Sequence, residues 1–140
     1  ESPGLTSAPA IGQYMAEMVA SAMGFEKKAE FNPIRRGVID LDELTDEERA
    51  EKIRENPLYG NIICRCETIS EGEIVDAIHR TLGATTLDGV KRRTRAGMGR
   101  CQSGFCSPKV MDILARELNI PLTEVRKNGK GSEIVFGKTK

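Results

Sequence analysis

Residues 62–66 read IICRC and residues 96–106 read AGMGRCQSGFC, and these two stretches hold all four cysteines of the chain. The first pair has one intervening residue, and the second pair has four. Ser70 with Glu73 forms a capping box after the first pair, and Ser107-Pro108 indicates a helix start after the second. Each pair is therefore expected in a loop just before a helix. Two such loops can bring four thiols together, and four sulfur ligands suit an iron–sulfur cluster or a zinc ion.

Three uses of the four cysteines compete. A disulfide within the first pair would be strained, and four cysteines in 140 residues without a secretory signal are not typical of a disulfide scaffold. Zinc usually selects pairs with about two to four intervening residues, from which the first pair departs. The single histidine, His79, excludes sites that need two, and its place off the apolar stripe of its helix predicts a surface residue. The pattern favours a [2Fe–2S] cluster held by Cys64, Cys66, Cys101 and Cys106. The alternatives are zinc in its place, or disulfides between the pairs or unlinked thiols.

A cluster with four thiolate ligands is an anion in both redox states, so its site needs positive surroundings. Arg65 stands between the first two cysteines and Arg100 stands beside the third, and we expect both to raise the reduction potential. The helix starts at Ser70 and Ser107 would add free N–H groups and positive dipole ends. The glycines of the second loop would let the backbone approach the cluster without Cβ clashes.

Caps and apolar spacing predict a mainly α fold. We expect a small bundle of short helices, with the cluster site on two cysteine-bearing loops and a separate helix at the N-terminus. The expected elements are an amphipathic helix capped at Thr6 or Ser7 and ended by Gly24, a charged helix begun by Thr45 and Glu48, a helix Glu71–Arg80 with Ile74, Val75, Ile78 and Leu82 on its apolar face and Gly83 at its end, a helix from Thr85 or Thr86, a helix capped by Ser107, and a strand within Glu133–Phe136.

Composition excludes several classes of function. The 21 basic and 21 acidic side chains balance, and aromatic residues make up only 4% of the chain. The basic run Lys91–Arg95 therefore lacks the overall charge and the aromatic residues typical of a nucleic-acid interface. No apolar run approaches the ~20 residues that a membrane-spanning helix needs, so no transmembrane segment is expected.

Residues 60–120 resemble the BFD-like [2Fe–2S]-binding domain. The resemblance lies in Cys64-Arg65-Cys66-Glu67, the run Thr86–Gly99 with its sequence TLDGVKRRTRAGMG, and Cys101-Gln102-x-Gly104-x-Cys106. It implies a small helical bundle whose two loops hold the cluster. Small free-standing members usually have two residues within the second pair, whereas the four found here are similar to the version fused behind flavin oxidoreductases.

The N-terminal stretch SPGLTSAPAIG, residues 2–12, resembles the last FAD-contacting segment of D-amino-acid-oxidase-like flavoenzymes. The resemblance implies that Gly4, Leu5 and Thr6 contact FAD in a longer parent protein, in which a helix N-terminus points at the flavin. A dinucleotide fingerprint is missing, because Gly97-x-Gly99-x-x-Gln102 lacks the third glycine and follows no strand. We therefore expect a fragment that does not hold FAD by itself and catalyses nothing alone.

Together the two resemblances imply the order found in anaerobic glycerol-3-phosphate dehydrogenases. Residues 1–24 would be the last helix of an FAD-binding domain, residues 25–57 a connector with a short helix, residues 58–120 the BFD-like domain and residues 121–140 a tail. The implied function is electron transfer from reduced flavin to an acceptor; the alternative is a structural zinc module or a docking module without redox role. The implied partners are the FAD-binding domain and an acceptor subunit or quinone pathway, in a cytoplasmic enzyme or one peripheral to the membrane.

Overall fold

The computed structural model describes residues 3–137 and residue 139, and the chain divides into two compact units, one ending at Arg36 and one beginning at Gly37. The first unit contains helix α1, Gly4–Met23, which ends at Gly24 in the left-handed conformation as predicted. Its start is earlier than predicted, because Pro3 takes the N-cap position and Pro9 lies inside the helix. None of its residues is buried. Within the described part of the chain, no helix combines the length and apolar character that crossing a membrane requires.

The second unit is a bundle of short helices with one small antiparallel sheet, which confirms the predicted fold class. Its regular elements are α2 Asp46–Glu55, β1 Ile62–Cys64, β2 Ile69–Ser70, α3 Glu71–His79, α4 Leu87–Thr94 and α5 Ser107–Leu118, with 3₁₀ turns at Leu41–Glu43, Pro57–Gly60 and Leu122–Glu124. Both predicted capping boxes are present, at the starts of α2 and α3. Thr86 caps α4 by accepting a hydrogen bond from the N–H of Gly89. The predicted segment boundaries after residues 24, 57 and 120 stay predictions.

Helix α3 is shorter than its apolar pattern suggests. Ile74 and Ile78 are buried as expected, but Leu82 is 86% exposed, so its assignment to the apolar face was wrong. The helix ends at His79, and the chain turns away through Leu82 in a left-handed conformation. Gly83 has no left-handed φ; a Cβ there would instead overlap the carbonyl oxygen of Ile78. The glycine thus lets the chain pass close to the end of α3.

The C-terminal segment belongs to the core of the second unit. Val125 is 1% exposed and packs with residues of α3, α4 and α5. The N–H groups of Leu87 and Asp88 donate to the carbonyls of residues 126 and 127, so this segment satisfies the first turn of α4. The predicted strand over residues 133–136 is reduced to one bridge between Arg126 and Glu133.

Ion pairs join α3 to α5 on the surface of the bundle. Arg116 donates to Glu71 and to Glu117, at 2.7 and 2.8 Å, and the second carboxylate also meets His79 Nε2 at 2.6 Å. His79 is therefore an exposed residue in an ion-pair network, in line with the predicted surface position. The network links α3 to α5, and the first residue of α5 follows the last cysteine.

Candidate metal centre

The first cysteine loop is the turn between β1 and β2. Cys64 is the last residue of β1 and pairs with Ile69 across the two-stranded sheet, which buries its side chain to 1% exposure. Cys66 lies in the turn and is exposed. Arg95, at the end of α4, donates to Glu67 at 2.9 Å and so holds this turn to the second loop. With one residue between them, Cys64 is buried in the core and Cys66 is exposed to solvent.

The second loop, residues 95–107, is a series of consecutive turns. Backbone N–H groups of Met98, Gln102, Gly104 and Ser107 each donate to a carbonyl three or four residues earlier. Ser107 is the first residue of α5 rather than its cap, and its hydroxyl donates to the carbonyl of Ser103 at 2.8 Å. Cys106 takes the N-cap position instead, which places the positive end of α5 beside its sulfur. Pro108 fits this start, since an N–H there would have no partner within the helix.

Two glycines bring the second loop against the first. Gly97 has a φ of 90°, and its N–H points at the sulfur of Cys64 with a separation of 3.5 Å. A Cβ on Gly99 would overlap the Cβ of Cys66. The first glycine is required for its conformation and the second for the close approach of the loops.

The four sulfurs meet in two pairs, each with one member from either loop. The Sγ atoms of Cys66 and Cys101 are 3.6 Å apart. The thiol of Cys106 interacts with that of Cys64, and both side chains are buried. Bonds of about 2.3 Å to one tetrahedral metal place two sulfurs about 3.8 Å apart. The outer pair thus already has the separation of two thiolates on one metal ion.

All four sulfurs line one cavity of about 400 Å³. The other lining residues are Ile63, Arg65, Phe105 and Lys109, so the wall carries two cations and no carboxylate. Neither cation has an ion-pair partner in the part of the chain that the structure describes. A cavity with this wall suits an anionic group bound through sulfur.

The two cysteines of the second loop, Cys101 and Cys106, differ in the pKa of their thiols. The backbone N–H of Phe105, then the thiol of Cys66 and the N–H groups of Ser103 and Gly104, lower the pKa of Cys101. Burial, followed by the neighbouring Cys64, raises the pKa of Cys106 to about 11. The loop of four intervening residues wraps its N–H groups around the outer sulfur. The inner thiol needs a metal cation to lose its proton at neutral pH.

The arrangement fits a two-iron cluster better than a single metal ion. Each iron of a [2Fe–2S] cluster takes two cysteine ligands, which matches two pairs of sulfurs. Among the described residues, no group of three or more histidine, cysteine, aspartate or glutamate side chains is arranged around a single point, and zinc in place of the cluster stays the alternative prediction. The four cysteines named from the sequence, Cys64, Cys66, Cys101 and Cys106, stay the predicted ligands of the cluster.

Of the other groups expected near the cluster, some line the cavity and others do not. Arg65 lines the cavity and Arg100 does not, and both side chains are exposed. The expected free N–H groups at the start of α3 already have partners within the fold. The N–H of Ser70 donates to the carboxylate of Glu73, and the N–H of Glu73 donates to the hydroxyl of Ser70. The N–H of Glu71 donates to the carbonyl of Asn61. Lys109, which was not predicted from the sequence, also lines the cavity; its position three residues after Cys106 on a helix was the available signal.

The residues expected to contact FAD lie at the start of α1, in the first unit. Gly4, Leu5 and Thr6 are its first three residues, all exposed, and no side chain caps the helix. Their role in FAD binding stays a prediction.

Comparison with known proteins agrees with this site. A family described as the BFD-like [2Fe-2S] binding domain matches residues 62–116. A glycerol 3-phosphate dehydrogenase of Caloramator mitchellensis is 55% identical over 141 aligned residues, covering 100% of this chain and 29% of the relative. The hydrogen cyanide synthase subunit HcnB of Pseudomonas aeruginosa is 33% identical over 71% of this chain and 22% of its own length.

A third relative belongs to the anaerobic glycerol-3-phosphate dehydrogenase of Escherichia coli K12, and it is 34% identical over 46% of this chain and 12% of its own length. The chain thus spans less than a third of each of these relatives. No solved structure gave a significant match. Residues 62–116, which hold the paired cysteines, match the family of BFD-like [2Fe–2S] binding domains.

Proposed function

We propose that this chain is the electron-transfer part of an FAD-dependent dehydrogenase that acts on glycerol 3-phosphate, and that it passes electrons from the reduced flavin to an acceptor. The observation that carries the proposal is the cavity in which four cysteine sulfurs meet beside two cations and no carboxylate. The glycerol 3-phosphate dehydrogenase of Caloramator mitchellensis, which is similar along the whole of this chain, supports this choice of parent enzyme.

When bound, a [2Fe–2S] cluster supplies one-electron redox chemistry, whereas a flavin takes two electrons from an alcohol as a hydride equivalent. Backbone N–H groups and two cationic side chains of this chain stabilise negative charge on the sulfurs. The N–H of Gly97 faces Cys64, and the N–H groups of residues 103–105 face Cys101. Arg65 and Lys109 favour added negative charge in the cavity. Because Cys66 and Cys101 are the more exposed ligands, a partner would approach most closely on their side.

The proposal includes the partners on both sides of the electron route. The donor would be the parent's FAD-binding domain, to which Gly4, Leu5 and Thr6 would contribute the start of α1. The absence of a side-chain cap supports this role, because uncapped N–H groups at a helix start can stabilise an anionic reduced flavin. The acceptor would be a partner subunit or the quinone pathway.

The deciding experiment uses the full-length parent under anaerobic conditions. Glycerol 3-phosphate is added, and the cluster is followed by electron paramagnetic resonance on the timescale of turnover. We expect a rhombic [2Fe–2S] signal that grows at a rate compatible with turnover. The Cys101→Ser parent is the control, in which the flavin should still bleach while this signal is lost or altered. A cluster that stays oxidised while turnover with the physiological acceptor continues would show that electrons bypass this domain.

The nature of the bound metal has its own test. Protein produced anaerobically with ample iron should contain about two iron and two sulfide per chain. Stoichiometric zinc without iron in that preparation would make the site structural rather than redox-active.

A further inference from the structure

The two cysteine pairs differ in their access to solvent. Cys66 is exposed and Cys101 is partly exposed, with their Sγ atoms 3.6 Å apart. Cys64 and Cys106 lie in the hydrophobic core of the second unit. A small oxidant in solution therefore reaches the outer pair and not the inner pair.

We propose that the outer pair, Cys66 and Cys101, is a site of reversible disulfide formation in the metal-free chain, while Cys64 and Cys106 remain thiols. The inference concerns the same cysteines as the proposed function, but it holds whichever metal they bind. It makes the outer pair a redox-controlled gate on metal loading, because two of the four ligands are lost while the disulfide persists.

Little movement is needed to form this bond. A disulfide has an S–S length of about 2.05 Å, so the two sulfurs must approach by roughly 1.5 Å. The loops that carry them are already in contact, since the backbone at Gly99 packs against the Cβ of Cys66. Rotation of the exposed Cys66 side chain and the partly exposed Cys101 side chain, with small adjustment of the turns, supplies the rest.

The reaction is thiol–disulfide exchange with a small disulfide such as oxidised glutathione. The thiolate of one outer cysteine attacks a glutathione sulfur, which forms a mixed disulfide and releases one glutathione thiolate. The thiolate of the second outer cysteine attacks the protein sulfur of that mixed disulfide, which forms the Cys66–Cys101 bond and releases the second. Two protein thiolates have then lost two electrons, and oxidised glutathione has gained them.

Peptide mapping tests the pairing directly. The complete chain is freed of metal by chelation under reductant, exposed to oxidised glutathione, and alkylated. Trypsin separates Cys64, in residues 55–65, from Cys66, in residues 66–80, and leaves Cys101 and Cys106 together in residues 101–109. We expect residues 66–80 linked to residues 101–109, with the alkyl group on Cys106 and on Cys64. Dithiothreitol should release the two peptides.

Matched variants and a denatured control complete the test. Cys106→Ser should keep the crosslink, whereas Cys66→Ser should lose it and carry glutathione on Cys101 instead. The same oxidation in urea gives the mixture of pairs expected of an unfolded chain. Three results from the native sample would overturn the inference. They are the same mixture of pairs as in urea, a link from residues 55–65 to residues 101–109, and alkylation of all four cysteines. None of these outcomes bears on whether the parent's flavin reduces a cluster.

Discussion

At the scale of single residues, Gly99 has the largest consequence for the site, because its backbone occupies the space beside Cys66. We expect Gly99→Ala to push the two loops apart and to lower cluster occupancy more than twofold. The cost in stability should be about 1–3 kcal/mol, as for other forced insertions into packed sites. Iron per chain and the urea midpoint measure the two effects. Gly129→Ala is the control, since a Cβ there meets nothing within 4 Å; equal behaviour of the two variants would remove the steric argument.

The cations of the cavity wall should tune the reduction potential. Removing either charge, by Arg65→Gln or Lys109→Gln, should lower the potential by tens of millivolts. Arg100→Gln should have a smaller effect, because Arg100 does not line the cavity. Arg54→Gln, on exposed α2, serves as the control. A redox titration monitored by visible absorbance distinguishes these cases, and potentials unchanged in both cavity variants would contradict the prediction.

At the scale of secondary-structure elements, the segment after α5 is part of the bundle rather than an appendage. Val125→Ala should lower the free energy of unfolding by about 2 kcal/mol, because it empties a fully buried position. Ile134→Ala, in the same segment but 47% exposed, should cost about 0.5 kcal/mol or less. Urea unfolding of the two variants gives the comparison. If the two variants lost the same free energy of unfolding, Val125 would contribute no more to the packing of the segment than the exposed Ile134.

Local signals in the sequence predicted three of the helix starts correctly, whereas the caps expected at Thr6 or Ser7 and at Ser107 were wrong. The Thr45–Glu48 and Ser70–Glu73 boxes and the cap at Thr86 needed only residues three apart, and all three are present. Leu82 was assigned wrongly because helical periodicity does not reveal where a chain leaves its helix. The place of Val125 in the core depends on hydrogen bonds between residues 87–88 and 126–127, about forty positions apart, which no local pattern contains.

The site shows the same division between local and distant information. The four expected ligands were predicted from the spacing of the cysteines and the helix starts beside them. Their pairing across the loops does not, because it depends on how Gly97 and Gly99 pack against the β1–β2 turn. The buried capping box of α3 likewise explains why its start serves the fold instead of the cluster.

At the scale of the whole molecule, the cysteines of the candidate metal site lie between the sheet and the start of α5, beside a small aliphatic core. Removing the metal under reducing conditions should lower the Tm of the second unit by roughly 10–20 °C, since ligand binding energy contributes to folding in small metal-binding domains. Cys101→Ser should reproduce much of this loss without chelator. Calorimetry of the complete chain, with and without chelator, measures both changes. A Tm that does not move in either case would show that the bundle is stable without its metal.

The exposed ring at the mouth of the cavity offers an optical reporter. Phe105 is 85% exposed and lines the cavity, and the chain contains no tryptophan. Phe105→Trp would therefore introduce a single indole beside the sulfurs without disturbing the core. Its emission should be strongly quenched when the coloured cluster is assembled and recover as the cluster is lost. Assembly, decay and transfer of the cluster could then be followed in real time at micromolar protein concentrations.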